Sequence, residues 1–178
     1  MMLLEAQAKK LYFNCFDIIL NNGEFKFLKR SKHPPKNEIN AMLSYGYTLL
    51  YANYLSVLDR SRLYSQISFV HSLTKCNESL HYDLADILKP VIVDRLVLSL
   101  CRHTQVKKEY FEYKDERCYL NKDGTKFFVA RYEEYIKKTI KINGRYYSYR
   151  NLISREVHLL SNYLAKENKI YKPYIMKW

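Results

Sequence analysis

The stretch LHYDLADILKPVIVDRLVLSL, residues 80–100, decides the fold class of this chain. It is largely apolar, and Pro90 is its one strong helix breaker. We therefore predict a helix that starts near Leu80, breaks or kinks at Pro90, and continues as a second, buried helix. The apolar run after the proline carries Asp94 and Arg95, and no run in the chain approaches the roughly 20 apolar residues that cross a bilayer.

Helical patterns lie on both sides of this stretch. The segment LLEAQAKKLYFNCFDIILNN, residues 3–22, predicts an amphipathic helix that ends at Asn22-Gly23. The stripe expected to be buried consists of Leu4, Ala8, Leu11, Cys15, Ile18 and Ile19. Asn37 is expected to cap a long helix over residues 38–60, and residues 148–167 are expected to form a last amphipathic helix.

One segment shows a hairpin pattern. RCYLNKDGTKFFV, residues 117–129, has an Asp-Gly turn between two short runs of β-prone residues. Residues 130–142 are expected to be helical, Asn143-Gly144 to form a turn, and residues 171–178 to form a loose tail. We therefore predict a mainly α fold with at most a short β-hairpin, organised as a single domain over residues 1–178.

The charge of the chain suggests a polyanionic partner. Thirty Lys and Arg residues against eighteen Asp and Glu residues give a net charge of +12, and nucleic acid is the commonest partner of so basic a protein. Eighteen tyrosines add aromatic rings that could stack on bases, as in the interleaved segments GRYYSYRN and KKEYFEYKDER. A basic surface that serves solubility alone is the competing interpretation.

The ends of the chain and its cysteines indicate a cytoplasmic protein. The N-terminal segment MMLLEAQAKK has neither an apolar core nor a small-residue cleavage site, so we expect no signal peptide and no membrane partner. The four cysteines are widely spaced and form no CxxC pair, which predicts free thiols and argues against a structural zinc site.

Asp83 and Asp86 raise the question of function. Residues three apart lie on the same face of a helix, and two carboxylates held close together repel unless a cation lies between them. His71 precedes the pair in an apolar context. One histidine with two or three carboxylates suits a catalytic Mg²⁺ or Mn²⁺ ion that keeps positions open for water or substrate. A packed histidine and a solvated acidic face are the alternatives.

Three motifs follow one another along the chain: KHPPKNEINAMLSYGYTLLY, SFVH and SLHYDLADILKPVIVDRLVLSL. In order and spacing they resemble the helical domain of the CRISPR-associated adaptation integrase, which inserts new spacers into CRISPR arrays. The opening LLEAQAKKLYF is similar to the helix that carries the family's metal-binding glutamate, and FFVARYEEYI and YYSYRNLISREVHLL resemble its C-terminal helices. The resemblance covers nearly the whole chain and implies the family's helical catalytic domain.

The resemblance implies four catalytic residues. Glu5, His71 and Asp86 would coordinate the divalent metal, Mg²⁺ or Mn²⁺, and Asp83 would support the site or bind a second ion transiently. Each has a purely structural alternative: a first-turn acid for Glu5, a core histidine for His71, an ion pair with a lysine for Asp83, and a cap or a bridge to Arg95 for Asp86.

The resemblance also implies a DNA-binding surface. Lys29, Arg30, Lys32 and Lys75 would hold phosphates, and Asn40 would orient groups near the metal. A solvated run of charge and a helix-surface amide are the structural alternatives. The implied partners are DNA, as spacer precursor and repeat array, and a small ferredoxin-like subunit. A homodimer would follow if the N-terminal half is supplied separately.

The chain also departs from the family pattern. The family's N-terminal β-rich domain is expected to be absent, and the glycines usual beside the metal-binding glutamate are replaced by Leu4 and Ala6. The implied function is a divalent-metal-dependent DNA endonuclease/integrase of spacer acquisition, by attack of a 3′-hydroxyl on a phosphodiester or by its cleavage. The alternatives are a catalytically impaired DNA-binding remnant of that family and an unrelated helical nucleic-acid-binding module.

Overall fold

The computed structural model describes residues 2–21, 24–70 and 78–176, and within them it is mainly helical, as predicted. Its helices are α1 (Met2–Leu20), α2 (Glu38–Leu58), α3 (Leu80–Lys89), α4 (Arg95–Arg102), α5 (Lys122–Ile136) and α6 (Tyr149–Leu164). One π-helical segment, Pro90–Asp94, joins α3 to α4, and a 3₁₀ turn covers Lys108–Tyr110. Two antiparallel hairpins complete the fold: β1 (Phe111–Lys114) with β2 (Arg117–Leu120), and β3 (Thr139–Ile142) with β4 (Arg145–Ser148). None of the described helices is long and apolar enough to span a bilayer.

The stretch at residues 80–100 folds as predicted. Helix α3 starts at Leu80 and ends at Lys89, directly before Pro90. The proline has no N–H to continue the α-helical pattern, and the chain passes through the π-helical segment before α4 begins at Arg95. The Asn37 cap is also confirmed, since its Oδ1 accepts the N–H of Asn40 at 2.9 Å.

The described residues cluster into two compact units. The first contains residues up to Gly46 together with Asp94–Tyr132, and the second contains Tyr47–Val93 together with residues from Glu133 onward. Buried apolar residues in the first unit include Phe16, Phe25, Phe27, Ile39, Met42, Leu43, Val97, Leu100 and Phe128. Those in the second include Leu50, Tyr54, Leu58, Leu84, Leu88, Ile92, Leu152, Ile153 and Val157.

The predicted buried face of α1 is wrong. Leu4, Leu11 and Ile18 are 71%, 69% and 78% exposed, whereas Phe16 and Leu20 on another side of the helix are buried. The Phe16 ring packs at 5.1 Å from that of Phe27 and at 5.2 Å from that of Tyr12. Aromatic rings bury more area than leucine or isoleucine and also gain from edge-on packing, so the aromatic side of this helix takes the core position.

The predicted Asp-Gly hairpin is also wrong. Asp123 and Gly124 lie in the first turn of α5, where Asn121 Oδ1 accepts both of their backbone N–H groups, at 3.1 and 2.9 Å. Asn121 therefore acts as a helix cap, which satisfies donors that a turn would leave open. The hairpin instead turns at Asp115-Glu116, both at positive φ, between β1 and β2.

Gly124 is required by a close approach. A Cβ at this position would lie 2.2 Å from the carbonyl oxygen of Tyr110, which is backbone and cannot rotate away. We expect Gly124→Ala to lower the free energy of unfolding by about 1–3 kcal/mol through overpacking, measured by urea denaturation. Lys126→Ala, an exposed position of the same helix, serves as control and should change it by less than about 0.5 kcal/mol. Equal stability of the two variants would contradict the expected clash.

The end of α5 differs from the prediction, and the turn after it does not. The helix stops at Ile136, and Thr139–Ile142 form strand β3 rather than a continued helix. β-branched residues at positions 139, 140 and 142 favour a strand. The predicted Asn143-Gly144 turn is confirmed, with both residues at positive φ. Ser148 then caps α6 by accepting the N–H of Asn151 at 3.1 Å.

The C-terminal segment is fixed to α6 where a loose tail is predicted. The N–H of Tyr174 donates to Oε2 of Glu156 at 3.0 Å, and the ring of Tyr171 lies 6.0 Å from that of Tyr163. Glu156 is fully buried, and burial raises the pKa of its carboxyl despite the nearby Arg155 guanidinium and the Tyr174 N–H. One buried acid thus holds the chain that follows α6.

The described cysteines are free thiols, as predicted. Cys101 and Cys118 are buried in the first unit, while Cys15 is exposed on α1. Burial raises the pKa of Cys101 to about 12 and that of Cys118 to about 11. Cys76 lies outside the described residues.

Candidate metal and DNA-binding site

Helix α3 presents Asp83 and Asp86 because its other side is the core. Leu80, Leu84, Ala85 and Leu88 are buried, and this spacing of three and four residues leaves the two aspartates on the half-buried remainder of the helix. The sequence-based expectation that both share a face of one helix is met. Their carboxylates nevertheless contact different partners.

Asp83 holds the backbone that leads to His71. Its Oδ2 accepts the N–H of Phe69 at 2.6 Å and the N–H of Val70 at 3.0 Å. A carboxylate that accepts two backbone N–H groups makes charge-assisted hydrogen bonds, which are roughly twice as strong as neutral ones. Asp83 therefore fixes the end of the segment directly before His71.

Asp86 has a cation beside it, and that cation is Lys89. The Lys89 ammonium forms an ion pair with Asp86 Oδ1, one turn further along α3. It also lies 5.2 Å and 4.8 Å from the ring centres of Tyr47 and Tyr51, which favours a cation at this place. The Lys89 side chain is only 14% exposed and that of Asp86 26%, so the pair is shielded from solvent more than an ordinary surface pair.

Two residues of this face escaped sequence analysis. Lys89 could have been found from its spacing of three residues after Asp86 on a helix. His81 is 5% exposed, with its ring centre 3.9 Å from that of Tyr82 and 5.4 Å from that of Tyr51. No sequence pattern indicates this packing, because it joins α3 to residues of α2 about thirty positions earlier.

Glu5 belongs to the first unit, on the first turn of α1. Its side chain is 34% exposed and forms an ion pair with Lys9, four residues later, which is the favourable orientation for such a pair. Further along α1, the hydroxyl of Tyr12 donates to Oδ2 of the buried Asp94 at 2.9 Å. Burial first, and the Asp94 charge next, raise the pKa of that hydroxyl.

His71 and Lys75 lie outside the described residues, so their predicted roles stay predictions. Within the described ranges, no three His, Cys, Asp or Glu side chains lie close enough together to hold a metal ion. The donor types that are described suit the expected metals, because Glu5 and Asp86 offer partly accessible carboxylate oxygens, the hard ligands that Mg²⁺ and Mn²⁺ prefer.

The predicted DNA-binding residues of the first unit lie in the segment before α2. Asn40 is 1% exposed, and its buried side-chain amide holds this segment in place. Its Oδ1 accepts the N–H of Ser31 at 3.0 Å and Arg30 Nη1 at 2.8 Å, while its Nδ2 donates to the carbonyl of Lys29 at 2.9 Å. Arg30 Nη2 also donates to Ser44 Oγ at 2.9 Å. Arg30, predicted to hold a phosphate, and Asn40, predicted to orient groups near the metal, thus both have partners inside the first unit.

The lysines of the same segment point to solvent. Lys29 and Lys32 are exposed, and a groove of about 410 Å³ beside them is lined by Lys26, Lys29 and Lys36 together with Glu24 and Glu38. The carbonyl of Pro35 accepts the N–H of Cys118 at 2.9 Å, which fixes the other end of the segment. Asn40 and Arg30 therefore hold a loop whose lysines are exposed to solvent.

The chain has known relatives that match it over most or all of its length. Residues 1–134 match the family of CRISPR associated protein Cas1. The chain is 36% identical, over its full length and 54% of the relative, to CRISPR-associated endonuclease Cas1 2 of Thermodesulfovibrio yellowstonii. It is 35% identical, over 92% of its length and 52% of the relative, to CRISPR-associated endonuclease Cas1 of Thermotoga maritima.

Solved structures show the same fold. A Cas1 protein from Thermotoga maritima superimposes with a TM-score of 0.86 at 34% identity, covering 95% of this chain and 54% of that one. A casposase bound to its integration product gives a TM-score of 0.87 at 24% identity, over 99% of this chain and 54% of that one, and shows likeness of fold alone. The chain spans about half the length of the curated relatives it matches, and on these matches it belongs to the Cas1 family of CRISPR-associated proteins.

Proposed function

We propose that this chain is the catalytic part of a divalent-metal-dependent DNA endonuclease/integrase that acts in CRISPR spacer acquisition. Family membership supports the reaction class, since its relatives are named endonucleases. The observation that carries the proposal is the pair of hydrogen bonds from Phe69 and Val70 to Asp83. They tie the chain directly before His71 to the helix that bears Asp86, which is what a shared site for those two residues requires.

Under this proposal Glu5, His71 and Asp86 hold Mg²⁺ or Mn²⁺, and Asp83 positions the chain before His71. A bound divalent ion supplies Lewis-acid stabilisation of the charge on a phosphoryl oxygen. In strand transfer, a 3′-hydroxyl oxygen forms a new bond to phosphorus while the bond to the displaced strand's 3′-oxygen breaks. The exposed Lys29 and Lys32 bind phosphates of the DNA, and Arg30 and Asn40 keep their loop in place.

The proposed partners follow from the relatives. A casposase has been solved bound to its integration product, and two further structures contain Cas1 within a Cas6-RT-Cas1–Cas2 complex. We propose DNA, as spacer precursor and repeat array, and a small ferredoxin-like adaptation subunit as partners of this chain. We also propose that the protein forms a homodimer.

The test is cleavage of branched DNA by the purified protein with Mg²⁺, with Mn²⁺, or with a chelator and no metal. We expect nicking with either ion and none with the chelator, together with metal-dependent heat in a calorimetric titration. Cleavage that persists in the chelator contradicts metal dependence. Metal-independent DNA binding, with neither cleavage nor metal heat, replaces the proposal by its alternative, a DNA-binding remnant of the family.

A further inference from the structure

The β3–β4 hairpin, part of the second unit, has one half-buried face and one face exposed to solvent. Strand register pairs Ile140 with Tyr147 and Lys141 with Tyr146, and successive residues of a strand point to opposite faces. Ile140 and Tyr147 are half-buried. On the other face, Tyr146 is 71% exposed, and the Lys141 ammonium lies 5.8 Å from its ring centre. An exposed aromatic ring therefore lies next to a cation on the outer face.

The charge around this hairpin is of one sign. Residues 135–155 contain six Lys and Arg residues and no Asp or Glu. Arg150 pairs with Glu133, and Arg155 pairs with Glu156. The remaining basic side chains, Lys137, Lys138, Lys141 and Arg145, are exposed and have no ion pair with any acid of the described residues. Such a cluster repels itself unless an anion lies against it.

The base of the hairpin is held rigidly. The rings of Tyr135 and Tyr149 stack with centres 5.3 Å apart and planes 3° from parallel. The N–H of Tyr149 donates to the carbonyl of Lys138 at 3.1 Å, and the hydroxyl of Tyr135 donates to the carbonyl of Val91 at 3.3 Å. A ligand bound by a preorganised element meets a smaller ordering cost than one bound by a flexible loop.

The β1–β2 hairpin provides an internal comparison. It has the same strand lengths and a two-residue turn, but that turn consists of Asp115 and Glu116. Of its two exposed tyrosines, Tyr113 shares hydrogen bonds with Glu38 and Cys118, and burial together with these contacts raises the pKa of its hydroxyl. The other, Tyr119, lies opposite the acidic Glu112 in the strand register. Mixed charge and an engaged ring make this hairpin a poor anion site, so the basic, open face is specific to β3–β4.

We propose that the β3–β4 hairpin binds single-stranded DNA, with one unpaired base stacked on Tyr146 and a phosphate on Lys141 of the outer face. A second phosphate contacts Arg145, which is exposed beside the Asn143-Gly144 turn at the end of the hairpin. Basic side chains beside an accessible ring are the arrangement by which proteins hold single strands. The inference deepens the proposed function, from which it takes DNA as the nucleic acid, and it assigns contact residues outside the segment that carries Lys29 and Lys32.

The test measures the affinity of the protein for a fluorescent single-stranded oligonucleotide. A metal chelator is present, so that metal-dependent cleavage does not affect the measured binding. We expect Tyr146→Ala to weaken binding about fivefold or more and Tyr146→Phe to restore it, since stacking needs the ring alone. The double variant Lys141→Gln/Arg145→Gln should weaken binding about tenfold. The slope of log affinity against log salt concentration should become shallower by roughly 0.7 for each lost phosphate contact.

The matched control is Lys114→Gln/Arg117→Gln, which removes two exposed charges next to the turn of the other hairpin. It should bind as the parent does. Equal losses in the two double variants, or full affinity in Tyr146→Ala, overturn the assignment. Equal affinity for a duplex of the same length overturns the stacking. The proposed function fails independently, if the parent binds single strands through the hairpin yet cleaves no DNA with Mg²⁺ or Mn²⁺.

Discussion

Asp86→Asn is expected to lower metal-dependent DNA cleavage by about 100-fold or more. The amide keeps the shape of the side chain and one oxygen, but it removes the negative charge that binds a divalent ion, and losses of this order accompany the loss of groups that hold or orient such an ion. The proposal predicts a second readout: calorimetric titration of the variant with Mn²⁺ should give much weaker heat than titration of the parent.

Lys89 offers the matched variant, because it is the partner of Asp86 on the same helix turn. If Asp86 mattered only through that ion pair, Lys89→Met would cost as much cleavage as Asp86→Asn. Methionine keeps the apolar packing against Tyr47 and Tyr51 and removes the ammonium that competes with a metal for the carboxylate. We therefore expect Lys89→Met to retain cleavage within a few-fold and to bind Mn²⁺ at least as tightly as the parent.

The pair of variants decides between the two roles. Parallel losses of cleavage in both, with metal heat unchanged from that of the parent, would show that the ion pair, and not a metal, explains the carboxylate. Thermal unfolding of both variants serves as the check on folding, since a shielded pair that loses one partner also loses stability.

Asn40→Ala is expected to lower the free energy of unfolding by about 2–4 kcal/mol. The substitution leaves the N–H of Ser31, the carbonyl of Lys29 and one donor of Arg30 without the partner that Asn40 provides. Each buried polar group that loses its partner costs about 1–3 kcal/mol, and more where a charge is involved. Because the amide is 1% exposed, water does not readily replace it.

Urea denaturation measures this change, and hydrogen exchange at Ser31 shows whether it is local to the loop. Asn37→Ala removes the cap of α2 and a longer hydrogen bond, 3.4 Å, to the carbonyl of Lys26. It should cost about 1 kcal/mol and serves as the neighbouring control. Asn40→Asp keeps the acceptor for Arg30 and loses the donor to Lys29, so its stability should fall between that of the parent and that of Asn40→Ala. An alanine variant as stable as the parent would show that the buried amide does not hold the loop.

The parts of the fold that depend on local chemistry were predictable from the sequence. Pro90 ends α3, Asn37 caps α2, and Asn143-Gly144 turns a chain, because each acts on residues within one turn of itself. The Asp123-Gly124 turn was mispredicted although its cap, Asn121, was visible. A helix cap that satisfies two N–H groups outweighs the turn preference of the glycine.

What depends on distant partners was not predictable. The choice of buried face on α1 depends on Phe27, which lies beyond the end of the helix, and on Asp94, 82 residues after its partner Tyr12. At the candidate site, the face shared by Asp83 and Asp86 follows from helix geometry. The partner of Asp83 is fourteen residues upstream, and the inward turn of Arg30 follows from the burial of Asn40. Periodicity assigns residues to faces but does not say which element covers each face.

The buried thiols of the first unit have a consequence for chemical modification. Alkylating reagents attack the thiolate, and a pKa of about 11 or 12 leaves Cys118 and Cys101 with roughly one thiolate in ten thousand or fewer at pH 7. Alkylation of either sulfur therefore requires an opening of the unit that admits both reagent and water. The rate at which either thiol is alkylated therefore measures how readily the unit opens, and no cysteine has to be introduced for the measurement.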